Sequence, residues 1–334
     1  MPNHCTQRII TILLGLLAHC GVAGAEVAEV RIAPSYGITY LPLVIMEQNR
    51  LLEKHARAAG LGDIKVSWVT ISGGAGMNDA LLSGNVDFVS GGIPPFSLLW
   101  EKTRGGVKGV AALSAMPIFL NTRNPGIKSI RDYTDKSRIA LPAVKSSAQA
   151  MFLQMAAEQA YGEGNYAKLD VLTIAMPHPD ATALMLSGKG EIDSHFTTPP
   201  FQYRQLEQPG VRTVLNSYEV LGGPATLFML WTSAKFHDAN PKTYAAFLAA
   251  LEEANTFIAR DKRAAAELYL QKSKDKATVE SILKMLNDPQ TQFTTTPQNV
   301  MKTVLFMHKT GTLKTRPASW QDLFFPAIHQ LPGS

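Results

Sequence analysis

The chain has 334 residues, of which 46% are hydrophobic and 18% are charged. This composition excludes a disordered chain, and the length favours two domains of ordinary size over one. The formal net charge is only +5, and no basic run is interleaved with aromatic residues, so the sequence does not indicate a nucleic-acid-binding surface.

The first 25 residues have the features of an export signal. Arg8 precedes a short apolar run over residues 9–18, and Ala23-Gly24-Ala25 is a small-x-small cleavage site. The apolar run is too short to span a bilayer permanently. We therefore predict a signal peptide cleaved after Ala25. Lipid anchoring at Cys20 is the alternative, although His19 stands where a lipoprotein signal normally has a small residue.

Cleavage after Ala25 would remove both cysteines of the chain, Cys5 and Cys20. The mature protein would then have no disulfide and no thiolate chemistry. At this size, the hydrophobic core alone would have to stabilise the fold.

A first α/β unit follows the predicted cleavage site. Strand patterns at residues 27–33, 64–69 and 86–89 alternate with helical patterns that run from Pro42 to about Lys54 and from Met77 to Ser83. Alternation of strands and helices predicts a parallel sheet covered by helices.

The same order of elements recurs about a hundred residues later. Strands are predicted at residues 138–142, 169–174 and 192–196, with helices at residues 149–161 and from Pro179 or Asp180 to Ser187. The sequence therefore predicts a second α/β unit.

A repeated phrase marks the same position in both units. LLSGNVDFVSGGIPPF at residues 81–96 and MLSGKGEIDSHFTTPPF at residues 185–201 share Ser-Gly, an apolar residue followed by Asp, and Pro-Pro-Phe. We expect Asp87 and Asp193 to accept hydrogen bonds from loop N–H groups, and each Pro-Pro-Phe to begin a helix and contribute a core aromatic residue.

Apolar extended segments at residues 116–122 and 219–231 bracket the second unit, so the chain is predicted to leave the first unit and return to it. We assign residues 26–117 and 225–334 to lobe 1, and residues 118–224 to lobe 2. Five further helices are predicted, and lobe 1 is their expected host: Tyr244–Ala259, Ala264–Gln271, Thr278–Leu286, Asn299–Lys309 and Trp320–Gln330.

Four turns rich in Gly, Ser or Thr follow predicted strands and open helices. They lie near residues 39–41, 73–76, 146–148 and 197–198. Such turns present unpaired N–H groups with the positive end of a helix dipole behind them, and ligands bind at this edge of a doubly wound sheet. Ordinary capping explains any single turn, but the repetition across both units indicates a shared cleft.

Catalytic and metal-binding motifs are absent from the sequence. There is no Gly-x-Ser-x-Gly elbow, His-Glu-x-x-His pair or phosphate loop, and the glycines of residues 73–76 lack the dinucleotide-binding spacing. His178-Pro179-Asp180 and Asp193-Ser194-His195 are too short and isolated to indicate a metal site. We therefore expect no enzyme activity, no cofactor and no metal.

Taken in order along residues 27–326, several segments resemble one family, the nitrate/sulfonate/taurine-type periplasmic substrate-binding proteins of ABC importers. The resemblance lies in the order of the segments, since no single one is specific. They are Ser35-Tyr36-Gly37, Leu82–Asp87, Ile127–Tyr133, Lys145-Ser146-Ser147, the second Ser-Gly…Ile-Asp, Gly311-Thr312-Leu313 and Trp320–Phe324.

The resemblance implies a type II periplasmic-binding fold, with two α/β lobes joined by two crossover strands and closing by hinge motion on a small solute. It also includes a branch related to thiamin-pyrimidine precursors, in which some members are enzymes with a cysteine-rich motif that this chain lacks. It implies a periplasmic monomer that delivers its ligand to the transmembrane subunits of an ABC importer. A sensor that hands the same ligand to a signalling receptor is the alternative.

The predicted ligand is a small organic anion or a polar heterocycle, in the sulfonate, nitrate-like, aromatic acid or pyrimidine class. Hydroxyl and N–H donors suit an anion, whereas aromatic side chains suit a ring, and the sequence leaves both open. His195 is expected more often as a hydrogen-bonded structural residue than as a ligand contact. The predicted ligand-binding residues are Ser35, Tyr36, Gly37, Tyr40, Gly74, Ala75, Gly76, Gly92, Ile93, Ser146, Ser147, Ala148, His195, Phe196, Thr197 and Phe228.

Overall fold

The computed structural model describes residues 26–188 and 192–334. The predicted signal peptide, its cleavage site and Cys20 lie outside the described residues, as do residues 189–191 of the second repeated phrase. Among the described residues, no helix combines the length and apolar character that crossing a membrane requires.

Ten strands form two sheets of five strands each within the described residues. The strands are β1 (Glu29–Ala33), β2 (Lys65–Trp68), β3 (Phe88–Gly92), β4 (Val107–Ala115), β5 (Phe119–Thr122), β6 (Ile139–Leu141), β7 (Thr173–Ala175), β8 (Ser194–Thr197), β9 (Arg212–Asn216) and β10 (Thr226–Ser233).

The helices cover the faces of these sheets and form most of the second half of the chain. They are α1 (Leu41–Gln48), α2 (Leu51–Ala58), α3 (Gly74–Leu82), α4 (Ile93–Lys102), α5 (Ala148–Tyr161), α6 (His178–Ser187), α7 (Phe201–Leu206), α8 (Ser217–Leu221), α9 (Ala234–Ala239), α10 (Pro241–Arg260), α11 (Lys262–Ser273), α12 (Val279–Leu286) and α13 (Val300–Lys309).

The two sheets have equivalent topologies. The first has the order β2-β1-β3-β10-β4 and the second has the order β7-β6-β8-β5-β9. In each sheet, three parallel strands lie side by side, and the next strand is antiparallel to them. This antiparallel strand directly follows or precedes a crossing of the chain between the sheets: it is β10, beside β3, in the first sheet and β5, beside β8, in the second. The predicted duplicated α/β unit and the two-lobed fold are confirmed.

The two aspartates of the repeated phrase accept hydrogen bonds from backbone N–H groups, as predicted, but the partner of Asp87 lies in a strand and not in a loop. Asp87 accepts a hydrogen bond of 2.8 Å from the backbone N–H of Arg31 in β1 and also pairs with the Arg31 guanidinium. Asp193 accepts one of 3.4 Å from the backbone N–H of Arg138, which precedes β6. Each carboxylate therefore ties the start of one strand, β3 or β8, to the parallel strand beside it, β1 or β6.

The Pro-Pro-Phe segments also behave as predicted. Pro94 and Pro95 lie in the first turn of α4, where missing N–H groups cost nothing, and α7 begins directly after the second Pro-Pro pair. Phe96 is fully buried, and Phe201 is 6% exposed.

Four predicted elements differ from the structure. Arg50 adopts a left-handed conformation with φ 49°, which divides the single helix predicted from Pro42 into α1 and α2. Most of the strand predicted at residues 169–174 is a 3₁₀ helix that precedes β7, and residues 219–221 belong to α8. The last predicted helix is instead two 3₁₀ turns, the second beginning at Pro326.

The C-terminal helices pack against the first sheet, as predicted. In the core beneath them, the ring of Phe88 in β3 stacks on that of Phe247 in α10, with centroids 4.0 Å apart. Trp231 of β10 is fully buried, and Gly91 lies so close to it that a Cβ on Gly91 would come within 2.9 Å of the indole. The first sheet is therefore held between two packed layers of helices.

Candidate ligand-binding cleft

A small cavity lies where the carboxyl ends of parallel strands from both sheets meet. Its volume is about 40 Å³, so the two walls nearly touch. The turns after β1, β2 and β3 form one wall, and the starts of α5 and α6 form the other. This is the edge at which doubly wound sheets bind ligands.

The two lobes touch around this cavity at glycines. A Cβ on Gly92 would lie 2.9 Å from the Cβ of Ala148 on the opposite lobe, and one on Gly37 would lie 2.8 Å from the carbonyl oxygen of Pro199. The backbone N–H of Ile38 donates to that same carbonyl at 3.2 Å. The lobes are therefore in a closed arrangement that requires residues without side chains at the contact.

Aromatic rings and small residues form the wall from the first lobe. The ring of Tyr40 stacks on that of Phe228, with centroids 4.9 Å apart and an interplanar angle of 19°. Burial raises the pKa of the Tyr40 phenol far above its ordinary value, although a hydrogen bond with Ser35 opposes this shift. Tyr36, in contrast, is 40% exposed. This wall offers the buried, neutral phenol of Tyr40 and the partly exposed ring of Tyr36 at the cavity edge.

Ser147 forms part of the second wall, but its hydroxyl already has partners. It accepts a hydrogen bond of 3.1 Å from the Ala150 N–H as the N-cap of α5, and it donates one of 2.7 Å to the Ala143 carbonyl. Ser146 lies outside the cavity lining and bonds to the Val144 carbonyl at 3.3 Å. The main contribution of this turn is therefore the start of α5.

Two residues that the sequence analysis did not select, Gln149 and His178, complete the second wall. Their side chains contact each other, with 3.2 Å between Gln149 Nε2 and His178 Nε2, and both line the cavity. Behind them, His178 Nδ1 lies 3.0 Å from His195 Nε2. No sequence motif indicates the contact between His178 and His195, because the two histidines are 17 positions apart in the chain.

The cavity is electrically neutral. None of the described residues that line it is Asp, Glu, Lys or Arg. Burial lowers the pKa of His178 to about 3, and burial together with the neighbouring His178 lowers the pKa of His195 well below 6.5. Both imidazoles are therefore uncharged at neutral pH, and the cavity offers only neutral hydrogen-bonding groups and helix dipoles.

Eight of the sixteen predicted site residues line the cavity, and the structure places the other eight beside or behind it. Gly37 lies at the mouth, and Ala75 and Gly76 are inside α3, which begins three residues earlier than predicted. Ser146 is displaced, while Ile93, His195, Phe196 and Thr197 are buried in the layer behind the walls. The residues that line it are Ser35, Tyr36, Tyr40, Gly74, Gly92, Ser147, Ala148 and Phe228.

The predicted packing of Phe196 against a ligand does not fit this geometry. Every residue of β8 is buried, and Phe196 has no exposed surface because both faces of the strand are covered. Thr197 likewise directs its hydroxyl to His178 Nδ1, at 3.1 Å. The end of β8 therefore supports the cavity wall from behind.

A second, larger cavity of about 510 Å³ opens at the mouth of the cleft. It shares Ser35 and Tyr36 with the inner cavity and is also lined by Leu43, Val44 and Phe201. Its rim carries four basic and two acidic side chains, namely Arg204, Lys272, Lys274, Lys276, Glu47 and Asp275. The rim is therefore net basic, in contrast to the neutral interior.

A family model described as the NMT1-like family matches residues 23–270, more than half of the chain. Comparison with curated protein sequences found no match.

Solved structures share the fold at low sequence identity. The alkanesulfonate-binding protein SsuA from Xanthomonas axonopodis pv. citri, bound to MOPS, is 19% identical, with 88% of this chain and 96% of that chain covered and a TM-score of 0.70. The Escherichia coli aliphatic sulphonate-binding protein SsuA is 19% identical, with 90% and 92% covered and a TM-score of 0.65.

The periplasmic nitrate-binding protein NrtA from Synechocystis PCC 6803 is 17% identical, with 89% of this chain and 84% of that chain covered and a TM-score of 0.67. These likenesses establish the architecture, and the family model establishes the lineage. The chain belongs to the NMT1-like family and has the fold of the periplasmic binding proteins.

Proposed function

We propose that the protein is a periplasmic solute receptor that captures a small organic anion or polar heterocycle and delivers it to the transmembrane subunits of an ABC importer. The observation that carries this proposal is the neutral, donor-lined cavity enclosed between two lobes in contact. Enclosure by two lobes suits capture and release by hinge closure. The chain acts as a monomer, exported by a signal peptide cleaved after Ala25.

The hinge in this account consists of the two chain crossings. One lies between β4 and β5, and the other lies between α8 and β10. Lobe 1 is residues 26–117 and 225–334, and lobe 2 is residues 118–224. Because two segments join the lobes in the described part of the chain, a rotation within them opens the cleft without disturbing either sheet.

The chemistry of the cavity favours a compact acceptor group with at most one charge. The helices that begin at Gly74, Ala148 and His178 start at the cavity edge, and the positive ends of their dipoles favour an anion. Without an arginine to form bidentate hydrogen bonds, a multiply charged group would lack compensation. A sulfonate, nitrate or carboxylate group meets this condition, as does the polar edge of a pyrimidine.

The outer cavity can hold the remainder of a larger ligand. It continues from the inner cavity past Tyr36 and is walled by apolar side chains of both lobes, including Val44 and Phe201. Its basic rim would raise the local concentration of anions before closure. The relatives named for alkanesulfonate, sulphonate and nitrate support the same class of ligand.

Thermal-shift screening of the purified mature protein tests this function. The panel is methanesulfonate, taurine, MOPS, nitrate, benzoate and thymine, each with its counter-ion alone as the control. A ligand at 100 times its dissociation constant stabilises a protein by about 2.7 kcal/mol, which gives a clear rise in melting temperature. Absence of any shift across the panel would refute the proposed ligand class.

Transport distinguishes an importer receptor from a sensor with the same lobes. A deletion strain should lose uptake of the labelled ligand found in the screen, and the wild-type gene should restore it. Retained uptake together with a lost transcriptional or motility response would instead identify a signalling partner.

A further inference from the structure

A chain of buried side-chain amides and imidazoles leads from β5 to the cavity wall. It begins at Asn121, which is fully buried. Its amide donates to the backbone carbonyl of Gln202 at 2.9 Å, and because a carbonyl only accepts, the Asn121 atom at this contact must be the NH₂ group. The same NH₂ donates to Gln205 Oε1 at 3.1 Å. The orientation of the Gln205 amide is thereby fixed.

The fixed Gln205 amide determines the tautomer of His195. Gln205 Nε2 lies 2.7 Å from His195 Nδ1 and also donates to Thr182 Oγ1 at 3.0 Å. His195 Nδ1 must therefore accept, and the neutral ring carries its proton on Nε2. That proton is donated to His178 Nδ1, 3.0 Å away.

His178 adopts the same tautomer for the same reason. Its Nδ1 accepts from His195 Nε2 and lies 3.1 Å from the hydroxyl of Thr197, which donates as well. The single proton of the neutral His178 ring is then on Nε2, the atom that faces Gln149. His178 thus presents a donor to Gln149.

Gln149 must therefore present a hydrogen-bond acceptor to the N–H at His178 Nε2. Two donors cannot face each other across this 3.2 Å contact. A half-turn about the last side-chain bond of Gln149 exchanges its amide oxygen and nitrogen. The oxygen then accepts from His178, and the NH₂ group points away from it. In the described part of the chain, the far atom of this amide has no hydrogen-bond partner, and Gln149 lines the cavity.

We propose that Gln149 is a specificity-determining residue that donates its amide NH₂ to an acceptor atom of the ligand, with its orientation fixed by the buried chain Asn121–Gln205–His195–His178. This inference rests on the proposed receptor function and deepens it. A ligand with an acceptor at this point, such as a sulfonate, nitrate or carboxylate oxygen, is favoured over an otherwise similar ligand with a donor there.

The tautomers can be measured without any ligand. Long-range ¹H–¹⁵N spectra of the mature protein labelled with ¹⁵N-histidine report which ring nitrogen carries the proton. Replacing the four other described histidines by glutamine, one at a time, assigns the remaining two signals: His55, His237, His308 and His329. We expect protonated Nε2 and unprotonated Nδ1 in both buried rings at pH 7. A proton on Nδ1 of His178, or a charged ring, would overturn the inference.

Binding of a probe tests the role of Gln149 itself. With methanesulfonate as the probe, Gln149→Met should weaken affinity at least about tenfold by removing one donor, and Gln149→Glu should weaken it further by placing a carboxylate against an anion. Gln159→Glu on the same helix, outside the cavity lining, should leave affinity unchanged.

The two experiments separate this inference from the proposed function. If the tautomers are as expected but neither Gln149 variant changes the affinity for methanesulfonate, the donor role is wrong while the receptor function stands. If no probe of the panel binds the wild-type protein, the receptor function fails, and the spectra still decide whether the hydrogen-bond chain exists.

Discussion

Acidification from pH 7 to pH 5 is expected to destabilise the protein through the buried pair His178 and His195. Burial lowers the pKa of His178 to about 3 and lowers that of His195 well below 6.5. In the unfolded chain, each imidazole titrates near about 6.5. The unfolded state therefore binds more protons than the folded state below this value, so stability is fully present above it and is lost as the pH falls.

The size of this stability loss is set by protonation of the two imidazoles in the unfolded chain. At pH 5, the folded state leaves both rings neutral, whereas each ring in the unfolded chain gains about 2 kcal/mol by protonation. The pair thus lowers the free energy of unfolding by about 4 kcal/mol between pH 7 and pH 5, a large share of the stability of an ordinary domain. The pKa values of Glu26 and Glu253 are lowered by hydrogen bonds that outweigh desolvation, so both carboxylates remain ionised in this window.

Urea unfolding followed by tryptophan fluorescence at pH 7, 6 and 5 measures this loss. The double variant His178→Gln/His195→Gln should have lower stability at pH 7 but a flatter dependence on pH. His308→Gln, on a partly exposed residue of α13, is the matched control and should keep the wild-type slope. Equal wild-type stability at pH 7 and pH 5, or an unchanged slope in the double variant, would refute the reasoning.

Two further substitutions test the closed cleft and the N-cap of α5. Gly92→Ala places a Cβ 2.9 Å from that of Ala148, so it should hold the lobes apart and weaken methanesulfonate affinity at least about tenfold by calorimetry, whereas Gly126→Ala should not. Ser147→Ala removes the N-cap of α5 and should lower the free energy of unfolding by about 1 kcal/mol, while Ser146→Ala should have almost no effect; equal losses in the two would contradict the capping assignment.

The duplicated fold could be predicted because each unit repeats the same local signals. The Ser-Gly turns and the Pro-Pro pairs act within a few residues, so their structural role does not depend on distant packing. The errors arose where packing or backbone geometry decides. Nothing in the local pattern predicts the left-handed Arg50 between the apolar helix α1 and the amphipathic helix α2, and Pro326 interrupts the final helical pattern.

The sequence predicted the cleft only through the Gly-, Ser- and Thr-rich turns that follow strands. The turns after β1, β2 and β6 line the cavity, since strand ends in a parallel sheet share an edge. Side-chain direction was not accessible for β8, because a strand buried on both faces has no alternation of polar and apolar residues. His178 and Gln149 meet only through tertiary packing between α5 and α6.

Titration calorimetry of the ligand-stripped mature protein with methanesulfonate, nitrate, benzoate and thymine tests the central claim most directly. We expect at least one of them to bind with one molecule per chain, because the structure encloses a small neutral cavity between its lobes. The bound compound should carry an acceptor group with no more than one negative charge. Heats indistinguishable from dilution for all four compounds would contradict the account.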